Sequence, residues 1–284
     1  MTPSLPPWIK VRLKNNHQFR STSALLQEFK LNTICEEGLC PNRAECFSYG
    51  VATFMLLGDT CTRNCRYCYV KVGRPAAIDT TEPERVAQAV QKLQLSYVVL
   101  TSVNRDDLPD GGAGVFAATV QKIKEFIPSC TVELLIPDFK ENSAALSIVA
   151  NSGALVIGHN IETVRSKFKD VRAQGNYDLS LRVLKQLKLL QPELKTKSGL
   201  MLGLGETEEE IEQTLFDLRK QGCDFVTLGQ YLRPTSHHYP VHQYYKPEEF
   251  IDWKKRAEKI GFLQVESGPL VRSSYRADKL KVHL

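Results

Sequence analysis

Six of the eight cysteines in this 284-residue sequence fall into two triplets. Cys61, Cys65 and Cys68 are spaced C-x3-C-x2-C, in Cys61-Thr62-Arg63-Asn64-Cys65-Arg66-Tyr67-Cys68. Cys35, Cys40 and Cys46 are spaced C-x4-C-x5-C. A structural zinc site normally takes four ligands, often from paired C-x2-C knuckles, and each triplet supplies three. Three thiolates on a [4Fe–4S] cube leave one iron without a protein ligand, and that iron can bind a small molecule through an amine and a carboxylate. Two triplets at different spacings point to two clusters with separate jobs. Cys130 and Cys223 have no neighbouring partner and read as small core residues.

The elements that must hold these residues are legible as alternating apolar runs and amphipathic segments. Candidate strands are Ala52–Leu57, Tyr97–Ser102, Thr131–Leu135, Ala154–His159, Lys197–Leu202 and Phe225–Gly229. Helical patterns lie between them at Glu82–Leu93, Gly114–Phe126, Ser143–Asn151, Asp178–Leu190 and Thr207–Gln221, and a shorter one precedes them at Ser21–Phe29. The pattern at Thr207–Gln221 opens Glu206-Thr207-Glu208-Glu209-Glu210, acids that suit a helix N-terminus. Most of the strands are nearly continuous apolar runs, the mark of strands buried on both faces of a parallel sheet. Six β/α units in a row predict an α/β fold, a partial (β/α)6 barrel of the TIM type. A flat doubly wound sheet is the alternative, but the glycine-rich dinucleotide turn is missing after the first strand. Three regions follow: an N-terminal arm over 1–50 with the first triplet, a core over 51–230, and an extension over 231–284 whose tail folds back over the barrel mouth.

In such a barrel, chemistry sits in the loops after the C-terminal strand ends. The unusual residues fall there repeatedly. The second triplet follows the first strand, and Thr101-Ser102-Val103-Asn104-Arg105-Asp106-Asp107 follows the next. Gly158-His159-Asn160-Ile161-Glu162, Gly203-Leu204-Gly205-Glu206 and Gln230-Tyr231-Leu232-Arg233 end the fourth, fifth and sixth.

Composition narrows the function classes. Thirty-seven Lys and Arg against 32 Asp and Glu give +5, spread along the chain, so a nucleic-acid partner is not expected. No apolar run is long enough to cross a bilayer, and the proline-broken N-terminus lacks a signal-peptide core. A reducing cytoplasm is expected, where cysteines serve as ligands or catalysts rather than disulfides.

The sequence closely resembles the lipoyl synthase family of the radical S-adenosylmethionine superfamily. The resemblance runs from about Pro7 to Ala277. It is carried by Cys35-Glu36-Glu37-Gly38-Leu39-Cys40-Pro41-Asn42 with Cys46, by the Cys61–Cys68 loop, and by Thr101 to Ala113. It continues in His159-Asn160-Ile161-Glu162-Thr163-Val164, Lys197 to Glu206, Leu228 to Pro234, and Ser267 to Tyr275. Asn104 stands where Asp is more usual, and Tyr67 where Phe is.

The resemblance implies a radical S-adenosylmethionine sulfurtransferase that inserts two sulfur atoms, at C6 and C8, into an octanoyl chain. That chain is carried on lipoyl domains, such as 2-oxoacid dehydrogenase E2 subunits or the glycine cleavage H protein. These carbons bear unactivated C–H bonds, which acid–base chemistry cannot break, so a cofactor must carry the step. Two [4Fe–4S] clusters and two S-adenosylmethionine per lipoyl group are implied. Cys61, Cys65 and Cys68 would hold the catalytic cluster, and Cys35, Cys40 and Cys46 the auxiliary cluster that donates sulfur. An electron donor and iron–sulfur carrier proteins are implied as further partners. By position, Thr101, Ser102 and Asn104 face the methionine end of S-adenosylmethionine. Asn160 and Glu162 face its ribose, and Gly203, within the Gly199–Gly205 stretch, its adenine.

Arg272-Ser273-Ser274-Tyr275 offers a fourth ligand for the auxiliary cluster. Adjacent side chains in extended chain point oppositely, so only one serine reaches the iron. Spacing leaves Ser273 and Ser274 open, and the family resemblance points to Ser274, as both catalytic residue and ligand. Other conspicuous residues have plainer readings. His237-His238 is expected in a solvent-exposed loop; Asp106, Asp107 and Asp110 are expected to hold a loop and cap the next helix; Lys279-Leu280-Lys281 is a solvated terminus. Biotin synthase-like or methylthiotransferase enzymes would lack the first triplet and the Arg-Ser-Ser-Tyr tail. A nucleic-acid-binding iron–sulfur or zinc protein would need a clustered basic face.

Overall fold

The computed structural model describes residues 5–10 and 16–278; Lys279-Leu280-Lys281 lies outside them. Two compact units are formed. Of the described residues, one comprises 16–63 and 69–157, the other 5–10, 64–68 and 158–278.

In the first unit three helices, α1 (His17–Glu28), α2 (Ile34–Glu37) and α3 (Arg43–Ser48), precede the strands. Strand β1 (Thr53–Leu56) is followed by the short parallel pair β2 (Thr60–Cys61) and β3 (Lys71–Val72). Helix α4 (Glu82–Lys92) leads to β4 (Tyr97–Ser102), α5 (Ala113–Phe126) to β5 (Thr131–Leu135), and α6 (Ser143–Ala150) to β6 (Val156–Gly158). β1 pairs with β4 and β4 with β5, all parallel, in the registers Thr53↔Val99 and Tyr97↔Thr131. Phe54, Leu56, Leu100 and Leu134 are buried to within 1% of complete exclusion, as continuous apolar runs in a covered parallel sheet require. Phe116, Val120 and Leu146 cover them from α5 and α6.

The second unit continues with α7 (Phe168–Val171), α8 (Tyr177–Leu190), β7 (Lys195–Leu202), α9 (Glu208–Lys220), β8 (Phe225–Gln230), α10 (Pro247–Ile260) and β9 (Gln264–Gly268). The parallel registers are Lys197↔Phe225 and Phe225↔Gln264. Leu200, Leu202, Leu228, Ile211, Leu218, Phe250 and Trp253 form its core. Helix α9 begins where its acids predict: the Thr207 hydroxyl accepts from Glu210 N–H, and Glu210 accepts from Thr207 N–H.

The main sheet runs β1-β4-β5-β6-β7-β8-β9. The six expected strands appear in sequence order, as a partial (β/α) barrel. A seventh, β9, escapes sequence reading because Gln264-Val265-Glu266-Ser267-Gly268 holds one apolar residue; it pairs on one side only. Among the described residues no helix is long and apolar enough to cross a membrane.

Leu100, wholly buried in the middle of β4, tests how far this sheet sets stability. Leu100→Ala is expected to cost about 3 kcal/mol, from lost transfer energy plus the cavity left behind. The check is a lower urea midpoint with an unchanged slope.

Candidate functional site

The first triplet sits in the arm that precedes β1. Thr33 caps α2, accepting from Glu36 N–H at 3.3 Å, and places Cys35 in the helix. The chain then turns through Leu39, in the left-handed region at φ 47°, so that Cys40 N–H reaches the Cys35 carbonyl at 3.1 Å. Cys46 lies in α3, held by its N–H to Asn42 O at 2.9 Å. An antiparallel bridge between Thr33 and Phe54, and Met55 N–H to Asn32 O, fasten this arm to β1. Burial, then the charge of Cys40, pushes the Cys35 thiol up to about 12. Burial, then Cys35 and Cys40, pushes Cys46 up to about 12 as well. The Cys35 and Cys46 thiols therefore resist ionisation without a cation. Iron binding takes thiolates, so loading this site must expel protons.

The second triplet begins at the end of β2. Cys61 Sγ accepts two backbone N–H bonds, from Arg63 at 3.4 Å and Asn104 at 3.3 Å. Thr62 is zipped to the loop after β4: its N–H and hydroxyl both donate to the Asn104 carbonyl, and its hydroxyl accepts from Asp106 N–H. Arg63 is 3% exposed and makes four charged hydrogen bonds. Two run to Asp106, at 2.7 and 2.8 Å, and two to Asp138 beyond β5, at 2.6 and 2.7 Å. Burial opposes the guanidinium charge, but the two carboxylates outweigh it and hold its pKa above the ordinary value. Two forked pairs of this geometry are the strong form of the interaction.

Cys65 and Cys68 belong to the other unit, in a turn closed by Cys68 N–H to Cys65 O at 3.0 Å. Arg66 N–H reaches Val171 O, the Arg66 carbonyl accepts from Tyr239 N–H, and its guanidinium lies over the Tyr239 ring. His238 Nε2 lies 3.1 Å from the Cys68 carbonyl and donates to it, and Nδ1 is 2.8 Å from the Thr235 hydroxyl. The expected exposed histidine pair therefore holds for His237 alone. His238 is half-buried against the cysteine turn.

Among the remaining candidates, Thr101 is spent on the sheet, its hydroxyl donating to Leu135 O at 3.0 Å. The Ser102 hydroxyl is buried and has no partner. Asn104 serves Cys61 and Thr62 through its backbone. Asn160 Nδ2 donates to Glu162 at 3.1 Å and to the Ser273 hydroxyl at 2.7 Å, while its Oδ1 is buried without a partner. Glu162, in the left-handed region at φ 67°, bridges β7 by its N–H to Gly199 O and its carbonyl to Met201 N–H. Burial raises its pKa, against the pull of Arg172, Asn160 and Tyr67. Gly203, at φ 101°, has a packing reason: a Cβ there would lie 2.3 Å from Gln230 Nε2 and 2.4 Å from Gln243 O. Ser274 and Ser273 are both half-buried in the turn after β9. Asp106 and Asp107 pair with Arg63 and Arg105, and Asp110 accepts from Gly112 and Gly114 N–H at the start of α5, so the three aspartates do hold and cap. Cys130 and Cys223 are fully buried.

Among the described residues no three His, Cys, Asp or Glu side chains are close enough to hold a single metal ion. Thiolates on a cubane sit on separate irons and stand farther apart than the ligands of one ion.

A sequence profile of the Radical SAM superfamily matches residues 55–218, more than half the chain. Solved structures share the fold. The hydrogenase maturase HydG from Carboxydothermus hydrogenoformans has a TM-score of 0.56 at 12% identity, covering 93% of this chain and 77% of that one. Methylornithine synthase has 0.53 at 15% identity, over 82% and 65%. The parallel sheet and the cysteine loop after its first strand are those of a radical S-adenosylmethionine enzyme. A lipoyl synthase from Caldicellulosiruptor saccharolyticus is 50% identical over 279 residues, 98% of each chain. Another, from Rubrobacter xylanophilus, is 50% identical over 272 residues, 96% of this chain and 85% of its own. The chain belongs to the lipoyl synthase family.

Iron–sulfur clusters and S-adenosylmethionine go with that membership, and the residues present fit them. Six thiols stand in two triplets, and two buried polar atoms, Ser102 Oγ and Asn160 Oδ1, lack partners at the ends of β4 and β6.

Arg63 was missed from sequence because its partners lie 43 and 75 residues away. Arg63→Met leaves Asp138 charged and buried and is expected to destabilise the chain by about 3 kcal/mol or more. Thermal unfolding of Arg63→Met beside Arg63→Lys measures it. An unchanged melting temperature in the first would remove the clamp's structural role.

Proposed function

We propose that this chain inserts sulfur at C6 and C8 of an octanoyl group carried on a lysine of a lipoyl domain, and so builds the lipoyl cofactor. Identity of 50% over 98% of the chain carries this reading, together with the two cysteine triplets of its sequence. Two [4Fe–4S] clusters and two S-adenosylmethionine per product are required. When bound, these groups supply the hydrogen-atom abstraction and the sulfur that no side chain can provide.

The chain's own residues bind and orient. Cys61, Cys65 and Cys68 hold the catalytic cluster, and the N–H groups of Arg63 and Asn104 aimed at Cys61 Sγ stabilise its thiolate. Ser102 Oγ, Asn160 Oδ1 and Glu162 are the polar groups offered to S-adenosylmethionine, with Thr101, Asn104 and Gly203 shaping its pocket. Cys35, Cys40, Cys46 and Ser274 hold the auxiliary cluster. An alkoxide is a harder ligand than a thiolate, so Ser274 would be the weaker ligand of the set that holds the auxiliary cluster.

The partners in this reading are octanoylated domains of 2-oxoacid dehydrogenase E2 subunits or the glycine cleavage H protein, an electron donor, and proteins that rebuild the auxiliary cluster. Eight free thiols suit a reducing cytoplasm.

Two sets of variants separate the roles of the triplets. Replacing Cys61, Cys65 and Cys68 by Ala is expected to abolish reductive cleavage of S-adenosylmethionine while roughly half the iron remains, from about eight per chain. Replacing Cys35, Cys40 and Cys46 is expected to preserve cleavage and form no carbon–sulfur bond; lipoyl product from that variant would place the sulfur source elsewhere. Ser274→Ala is expected to assemble both clusters but lose most lipoyl formation, scored by product analysis on an octanoylated carrier. Full turnover would remove the serine from the mechanism.

A further inference from the structure

The segment after β9 lies against two strands that have given up their side chains to admit it. A Cβ at Gly229 of β8 would stand 2.2 Å from the Val271 carbonyl oxygen. At Gly199 of β7 it would stand 2.8 Å from both Ser273 Oγ and Asn160 Oδ1, and 3.0 Å from Thr227 Oγ1. Backbone closures hold the turn itself: Val271 N–H to Gly268 O, Tyr275 N–H to Arg272 O, and Ala277 N–H to Ser274 O. A side-chain link from this segment to the loop after β6 is Asn160 Nδ2 to Ser273 Oγ, at 2.7 Å.

The orientation of that carboxamide is set from its other side. Asn160 Nδ2 also faces Glu162 Oε1 at 3.1 Å. The carboxamide nitrogen is thus the atom between Glu162 and Ser273. Arg172 donates to the Asn160 carbonyl at 2.9 Å and steadies the backbone beneath it. The carboxamide therefore sits beside Gly199, its Nδ2 directed to Glu162 and to Ser273.

We propose that Ser273 is a positioning residue: gripped by Asn160 over the bare backbone of Gly199, its hydroxyl seats the 271–278 segment and sets where Ser274 projects. The functional consequence rests on the reading of Ser274 as a cluster ligand; the seating does not. The two serines then divide the work. Ser273 is spent on the fold, Ser274 is the ligand in that reading, and the same carboxamide that holds the tail offers Oδ1 to S-adenosylmethionine. Gly199 is as necessary as the serine, since any side chain there occupies the space where the two meet.

Hydrogen exchange of residues 271–278, in the full-length protein carrying its clusters, tests the seating. Ser273→Ala is expected to speed exchange roughly fivefold, the factor that about 1 kcal/mol of net hydrogen-bond energy carries. Gly199→Ala, which keeps the hydroxyl but wedges the pair apart, is expected to do at least as much. The double variant should add little to Gly199→Ala alone, because both changes break one contact. Wild-type exchange in Ser273→Ala overturns the proposal, and so does full additivity of the pair. Mössbauer spectra of Ser274→Ala report the ligand reading separately. An unchanged iron spectrum there sinks serine ligation and leaves the exchange result to decide the seating by itself.

Discussion

A guanidinium cannot be buried alone. Arg63 is carried under the surface between the first and second cysteines of the C-x3-C-x2-C loop, and its charge is tolerable there only because Asp106 and Asp138 meet it with both oxygens each. Those aspartates come from the loops after β4 and β5, so satisfying one charge ties three strand exits together. The backbone follows: with Thr62 zipped to Asn104, the N–H groups of Arg63 and Asn104 are left pointing at Cys61 Sγ. The geometry around this sulfur is thus a by-product of pairing a buried charge.

In the second unit the governing constraint is space rather than charge. Gly199 and Gly229 stand at interior positions of adjacent strands, and the chain after β9 fills the room they leave. Glycine in a strand weakens it, and its presence marks the close approach of another backbone. Here the approaching backbone carries Arg272-Ser273-Ser274-Tyr275. The glycines that resemble a cofactor-binding stretch are therefore explained first by the protein's own tail at Gly199, and by Gln230 and Gln243 at Gly203.

Much of the fold was legible. Tyr97–Ser102 and Thr131–Leu135 keep the bounds read from sequence, since a strand buried on both faces needs a mostly apolar run; Glu133 interrupts the second and accepts from the Tyr97 hydroxyl at 2.6 Å. The acids of α9 marked its start for an equally local reason, the capping of free N–H groups. β9 was not legible: a strand pairing on one side carries polar residues that the sheet does not forbid. The short helices α2 and α3 were also hidden, because they are held by capping and by the bridge from Thr33 to Phe54 rather than by periodicity.

The candidate site divides the same way. The cysteines announce themselves because ligand spacing is a property of contiguous chain, and the order of strands follows from patterns a few residues long. So do the family and the chemistry that goes with it. Only the folded chain shows that Arg63 is clamped, that His238 turns in to the Cys68 carbonyl, and that Ser273 is taken by Asn160. These partners lie 43 to 170 residues apart. No local pattern encodes such pairs. They exist because polar groups carried into a low-dielectric interior must find one another, and which ones meet is decided by how the strands and loops close in space.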